Sequence, residues 1–276
     1  MNNVVVRSIS GVVFILAMLA CLMFNKFLFA GLIIFIMSVM LLEFYHITMG
    51  NSYTFSKVLA IIPPNILFGL LFATASYHIP IRFVAFAMVP IFIVMINSLY
   101  VKDKDEYGKF SNIYTGRLYI AVPIALSNLI AFDKAGNFSG NLLLCFFIII
   151  WCSDVGAFAF GISLGKIFPQ KLFPSVSPKK TWIGFIGGLV SSVLAAFALY
   201  EFGILKFPLI HCLILSFIMS VTGVYGDLFE SQWKRVYGVK DSGKIIPGHG
   251  GFLDRFDSTL MAMPFGAIYL AIFDLL

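Results

Sequence analysis

Two short stretches toward the C-terminal end combine acids and a hydroxyl at a spacing that can do chemistry. Gly226-Asp227-Leu228-Phe229-Glu230-Ser231 and Asp254-Arg255-Phe256-Asp257-Ser258 each present an acid at i, an acid at i+3 and a hydroxyl at i+4. On a helix those positions share one face. Magnesium takes one or two carboxylates and completes its shell with water and phosphate oxygens. Asp227 and Asp254 are therefore the candidate metal ligands, with Asp257 supporting them. Between the two clusters runs KRVYGVKDSGKIIPGHGG, which carries Lys234, Arg235, Lys240 and Lys244, then Gly248-His249-Gly250-Gly251. Glycines let backbone N–H groups approach an anion, and the cations neutralise it. Interleaved signs suit a metal–polyphosphate complex, whereas nucleic acid calls for a broad surface of one sign. One acidic helix end is ordinarily a solvated cap. The conjunction of two such ends with a basic, glycine-rich loop carries the reading.

A further carboxylate, Asp154, sits inside the apolar run FFIIIWCSDVGAFAFG. An ionised acid at membrane depth costs about 2.5–3.5 kcal/mol. It must face a protein interior, a cavity or a cation. Three other patterns lead nowhere. Gly238 to Lys244 fits GxxxxGK, but Ile245 replaces the hydroxyl residue of a P-loop and no apolar strand precedes it. Glu43-x-x-His46 resembles half of a di-iron site without a second half, so a polar contact at the end of the second helix is expected. Cys21, Cys145, Cys152 and Cys212 lie in apolar runs without CxxC spacing and read as small core hydrophobes.

The elements that must hold these residues are membrane helices. Of 276 residues, 60% are hydrophobic and 12% charged. A soluble domain is nearer a quarter charged, at about 25%. This composition excludes a soluble enzyme, a disordered chain and a disulfide scaffold. The expected fold is all-α, a polytopic membrane bundle of nine helices near 8–24, 27–49, 58–77, 81–99, 113–132, 141–160, 182–200, 207–225 and 255–275. The first is read as an uncleaved helix. Residues 1–135 form an N-terminal transmembrane region. Residues 136–276 form a catalytic region with polar loops at 161–181 and 226–254. With nine crossings, 15 of the 19 Lys and Arg fall on the N-terminal side, which makes that side cytoplasmic and puts both loops there. The net charge of +6 follows from those loops.

SQWKRVYGVKDSGKIIPGHGGFLDRFDS, residues 231–258, closely resembles the signature of the phosphatidate cytidylyltransferases, or CDP-diacylglycerol synthases. Ser231, Lys234, Arg235, Lys240, Asp241, Pro247, His249, Gly250, Gly251, Asp254, Arg255 and Asp257 stand at the family spacing. Ser177-Pro178-Lys179-Lys180-Thr181-Trp182 is similar to the family's second motif, and Asp154-Val155-Gly156-Ala157 to its membrane Asp motif. Trp233 and Ile183 depart from the usual residues. The resemblance implies transfer of CMP from CTP to phosphatidate with release of pyrophosphate, dependent on magnesium, with room for a second, monovalent cation. It further implies that Lys234, Arg235 and Arg255 act with the acids. Ser177, Lys179, Lys180, Thr181, Lys240, Asp241, His249, Gly250, Gly251 and Asp154 would bind substrate. A bacterial-type inner membrane, lipid contacts and a homodimer are expectations of the same kind; no nucleic acid is implied. Two other functions compete. A CTP-dependent lipid kinase would release CDP, and a transporter of anionic solutes would not consume CTP. The absence of a DGxxAR motif excludes a CDP-alcohol phosphotransferase.

Overall fold

A computed structural model describes residues 3–101, 107–248 and 250–276, with side chains from residue 9 onward. All nine expected segments are helical. They are α1 (Asn3–Phe24), α2 (Lys26–Met49), α3 (Thr54–Tyr77), α4 (Ile81–Ser98), α5 (Tyr107–Ala131), α6 (Asn141–Leu164), α7 (Trp182–Glu201), α8 (Leu209–Val236) and α9 (Leu253–Ile272). Among the described residues, seven of these are long and apolar enough to cross a membrane, α2 to α8. The described apolar part of α1, Ile9–Phe24, is shorter. The start of α9 carries Asp254, Arg255 and Asp257, which dilute an otherwise apolar helix. The protein is a multi-pass membrane bundle.

The irregular helices have local causes. Proline removes an N–H donor and crowds the preceding turn. Pro90 lies near the change from tight 3₁₀ winding to α-helix in α4, and Pro123 follows a wide π turn, Arg117–Ala121, in α5. Pro63 and Pro64 stay within α3. Neighbouring groups in a helical bundle tolerate such interruptions.

By packing, the chain forms two compact units. Met1–Ser139 with Asp241–Arg255 make the first, and Gly140–Lys240 with Phe256–Leu276 the second. The first is built on α2, whose Phe29, Ile36, Met37, Met40, Leu41 and Tyr45 are buried. Asn25 caps this helix by accepting from the Phe27 N–H at 2.7 Å. Phe252 tucks against α1 and α2 through edge-on contacts with Phe14 and Phe35, at 6.2 and 5.8 Å between ring centres.

The second unit is built on α6, α7 and α8. Helices in lipid associate through close van der Waals packing between small residues. A Cβ added at Gly188 of α7 would stand 2.8 Å from the Ser153 carbonyl oxygen of α6, so only glycine permits this approach. A hydroxyl pair, Ser153 to Ser220 at 2.8 Å, ties α6 to α8. Between α6 and α7 the 161–181 segment folds into an antiparallel hairpin, β1 (Lys171–Phe173) and β2 (Ser177–Thr181), with Lys171 opposite Thr181. The second loop is shorter than its sequence suggests, because α8 continues helically to Val236. At ~1.5 Å per residue, Asp227 lies about 27 Å along α8, near the far edge of a ~30 Å hydrocarbon core. The polar residues that follow occupy helix that projects beyond it.

Candidate functional site

In the second unit the sequence motifs meet around Asp257. Its charged neighbours are Asp227 and Glu230 of α8 and Asp154 of α6. The contact between α8 and α9 is close because a Cβ at Gly226 would stand 2.5 Å from the Asp257 carbonyl oxygen. Ser258 supports two of the acids. Its N–H donates to Asp257 Oδ1 at 2.7 Å, and its hydroxyl donates to Asp154 Oδ1 at 3.5 Å. Asp227 is half-buried and accepts from the Ser231 hydroxyl at 3.3 Å, the i, i+4 partner its spacing predicts.

Two lysines answer these acids. Lys180 Nζ lies 2.6 Å from Asp227 Oδ2, and Lys234 Nζ lies 2.5 Å from Glu230 Oε2. Lys180 reaches Asp227 because β2 ends on a helix cap. The buried Thr181 hydroxyl accepts from the Gly184 N–H at 3.2 Å, which locks the strand to the start of α7. Ser177 is half-buried on the same strand, and Lys179 is exposed. Arg235 and Lys240 are exposed at and beyond the end of α8.

In the first unit the residues of the signature loop gather on Asp254. The Ser242 N–H donates to both its carboxylate oxygens, at 3.1 and 2.9 Å, and the Gly251 N–H donates to Oδ2 at 2.9 Å. Gly250 turns the chain with φ +87°, and the Ile246 N–H donates to its carbonyl at 3.0 Å. A Cβ there would stand 2.7 Å from Asp254 Oδ2. Asp241 and Arg255 are exposed, and His249 lies outside the described residues.

Glu43 is the residue that sequence reasoning did not place in the site. The expected polar contact at the end of α2 exists, and it is made to the signature loop. Glu43 is 6% exposed and accepts from the Phe252 N–H at 3.1 Å, the Leu253 N–H at 2.9 Å and the Ser242 hydroxyl at 3.2 Å. The argument applied to Asp154, that an acid within an apolar run must be answered, would have found it. Beside it lies a cavity of about 380 Å³ lined by Glu43, His46, Asn51, Lys57, Ser242 and Gly243, among others.

The donor set is compatible with magnesium. Asp154, Asp227, Glu230 and Asp257 gather oxygen donors of the kind magnesium takes, with Lys180 paired to Asp227 and Lys234 to Glu230. Among the described residues no three His, Cys, Asp or Glu side chains converge on a metal position. A cation here would lean on water and substrate oxygens, as magnesium does.

Fold and site together define a multi-pass membrane protein with a cluster of acids and lysines at the ends of its helices. The chain belongs to the cytidylyltransferase family, whose model matches residues 5–273. It is similar to the phosphatidate cytidylyltransferase of Bacillus subtilis, 37% identical over 187 residues, or 68% of each chain. The enzymes of the same name from Staphylococcus saprophyticus and Staphylococcus aureus are 45% and 46% identical over 124 residues. That stretch is 45% of this chain and 46% of the relatives, so the match spans about half their length.

Proposed function

We propose that this chain is a CTP:phosphatidate cytidylyltransferase, which joins CMP from CTP to phosphatidate and releases pyrophosphate. A phosphate oxygen of phosphatidate attacks the α-phosphorus of CTP. A new P–O bond forms as the bond to the β-phosphate bridging oxygen breaks, giving CDP-diacylglycerol. The attacking phosphate is already anionic, so no strong general base is required. The difficulty lies in bringing two polyanions together and spreading the charge that develops on the leaving pyrophosphate.

The observation that carries this reading is the loop 241–255, folded so that its backbone N–H groups orient Asp254 at the tip of α9. Asp227 and Asp254 are the proposed magnesium ligands, with Asp257 in support. Magnesium would supply charge neutralisation and positioning for the triphosphate. Lys179, Lys180, Lys234, Arg235, Lys240 and Arg255 would bind the phosphates of both substrates, with Ser177 and Thr181 shaping the hairpin. His249, Gly250 and Gly251 would line the anion path, with Asp241 beside it. Asp154 would complete the acidic wall. A lipid substrate accounts for charged helix tips at the membrane edge, with acyl chains left in the bilayer. The charge distribution favours the cytoplasmic face of a bacterial inner membrane.

Purified protein given CTP and phosphatidate should form CDP-diacylglycerol and pyrophosphate with magnesium, and stop with EDTA. Release of CDP would point to a kinase. Solute flux through vesicles without CTP consumption would point to a transporter.

A further inference from the structure

The signature loop is held from a distance by a residue outside the signature and its companion motifs. Glu43 of α2 is buried, and each of its hydrogen bonds among the described residues goes to the loop or to the start of α9. Its partners lie 199 to 210 residues along the chain. The loop is shaped to meet it. A Cβ at Gly251 would stand 2.5 and 2.6 Å from the two Glu43 oxygens, and one at Gly243 would stand 2.9 Å from its carboxyl carbon. Ser242, 5% exposed, joins this carboxylate to the next. Its hydroxyl donates to Glu43 Oε2 and accepts from the Asp254 N–H at 3.3 Å, while its own N–H donates to the Asp254 carboxylate.

From this geometry we infer that Glu43 is a positioning residue for the transfer reaction, acting through Ser242 and the Phe252–Leu253 backbone to fix the carboxylate of Asp254. The inference rests on the reaction proposed above. Three donors converge on Glu43, so the group there must accept and must not donate. A carboxylate does this with both oxygens. A glutamine has one accepting oxygen and sets an NH₂ against an N–H or O–H donor. Glu43→Gln therefore keeps size and shape while breaking the arrangement. Alanine is a poorer probe, because the cavity beside Glu43 would let water reach the freed donors.

The test uses full-length protein in lipid nanodiscs, comparing wild type, Glu43→Gln, Ser242→Ala and Met40→Ala. Outer partners of metal ligands typically change metal affinity or activity about 10–100-fold. Glu43→Gln should lower kcat and raise the magnesium concentration for half-maximal rate by a factor of about ten or more. The KM for phosphatidate should hold within twofold. Ser242→Ala should move the same two quantities by less, about three- to tenfold, because the backbone donors to Glu43 remain. Met40 is fully buried on α2. Its alanine variant should lower the melting temperature without changing the magnesium requirement, which separates positioning from general loosening of the helix. If Glu43→Gln cannot be recovered folded, Ser242→Ala decides. A magnesium requirement at the wild-type value in the folded variants overturns the inference, as does an equal shift in Met40→Ala. Wild type that makes no CDP-diacylglycerol overturns the proposed reaction instead.

Discussion

Asp227 and Asp254 are both acids at a helix end, yet different groups hold them, and this predicts different responses to the same change. Asp254 is held by backbone N–H donors from Ser242 and Gly251. An asparagine there would turn an NH₂ toward one of them and give up the anionic oxygen. Asp227 is held by the Lys180 ammonium and the Ser231 hydroxyl, both side chains that can adjust. Asp254→Asn should abolish turnover and also lower the melting temperature. Asp227→Asn should abolish turnover with the melting temperature nearly unchanged, and near-wild-type rates in either purified variant would remove the metal assignment. Lys180 and Asp227 are a quarter to a third exposed. An ion pair so placed is worth about 0–1 kcal/mol, so Lys180→Met should cost little stability. If Lys180 serves the substrate phosphates, the same variant should lose about tenfold or more in kcat/KM for CTP, a loss of ~1.4 kcal/mol in transition-state binding. The chemical residues were legible because acid, base and glycine spacing is local. Glu43 stood out only as an acid that must be answered; its partners did not, because they lie at residues 242–253 and no local spacing records them.

The elements follow from two sequence properties, and only one of them shows in hydropathy. Apolar run length located all nine helices, with the largest miss at the C-terminal end of α8 and a smaller one at the start of α5, Tyr107. The α8 helix continues ten residues past Gly226 because Asp227, Glu230, Ser231 and Lys234 still follow i, i+3 and i+4 spacing and pair along one face. A hydropathy profile ends the helix where charge begins, although the backbone has no reason to stop there. The hairpin at 171–181 was also invisible, since strands of three and five residues in a polar loop leave no alternating pattern. What no profile reports is helix–helix distance. A Cβ at Gly156 of α6 would come 2.8 Å from the Gly187 carbonyl oxygen and closer still to Ser191. At Gly69 of α3 nothing lies within 4 Å. Replacing glycine by alanine within a helix gains about 0.8–1.0 kcal/mol when space allows. Gly69→Ala should therefore raise the melting temperature slightly. Gly156→Ala should lower it and reduce activity, because pushing α6 from α7 moves Asp154 and the hairpin bearing Lys180. Equal behaviour of the two variants would show that close packing at Gly156 is not what positions these residues.

For the whole molecule, the reading depends on which side of the membrane each polar segment occupies. If α6 crosses the membrane, residues 132–140 lie on the opposite side from the 161–181 hairpin, since that helix alone separates them. At ~1.5 Å per residue its 24 residues span about 36 Å, enough for a ~30 Å core. Lys134 and Lys171 are both exposed, one on each side of that helix. The native cysteines offer a clean background, since Cys145 and Cys212 are buried and Cys21 and Cys152 half-buried in apolar helices. With all four replaced by alanine and activity retained, Lys134→Cys should react with a membrane-impermeant maleimide in intact cells stripped of their outer layers. Lys171→Cys should react only after the membrane is opened. Asymmetric labelling of this kind is what nine crossings require, since they would put 15 of the 19 cations on one side and cells keep such loops inside. The reverse pattern would invert the protein and put the site away from cytoplasmic CTP. Equal labelling of both positions in intact cells would mean that α6 does not cross, and would remove the basis for setting Asp154 at membrane depth.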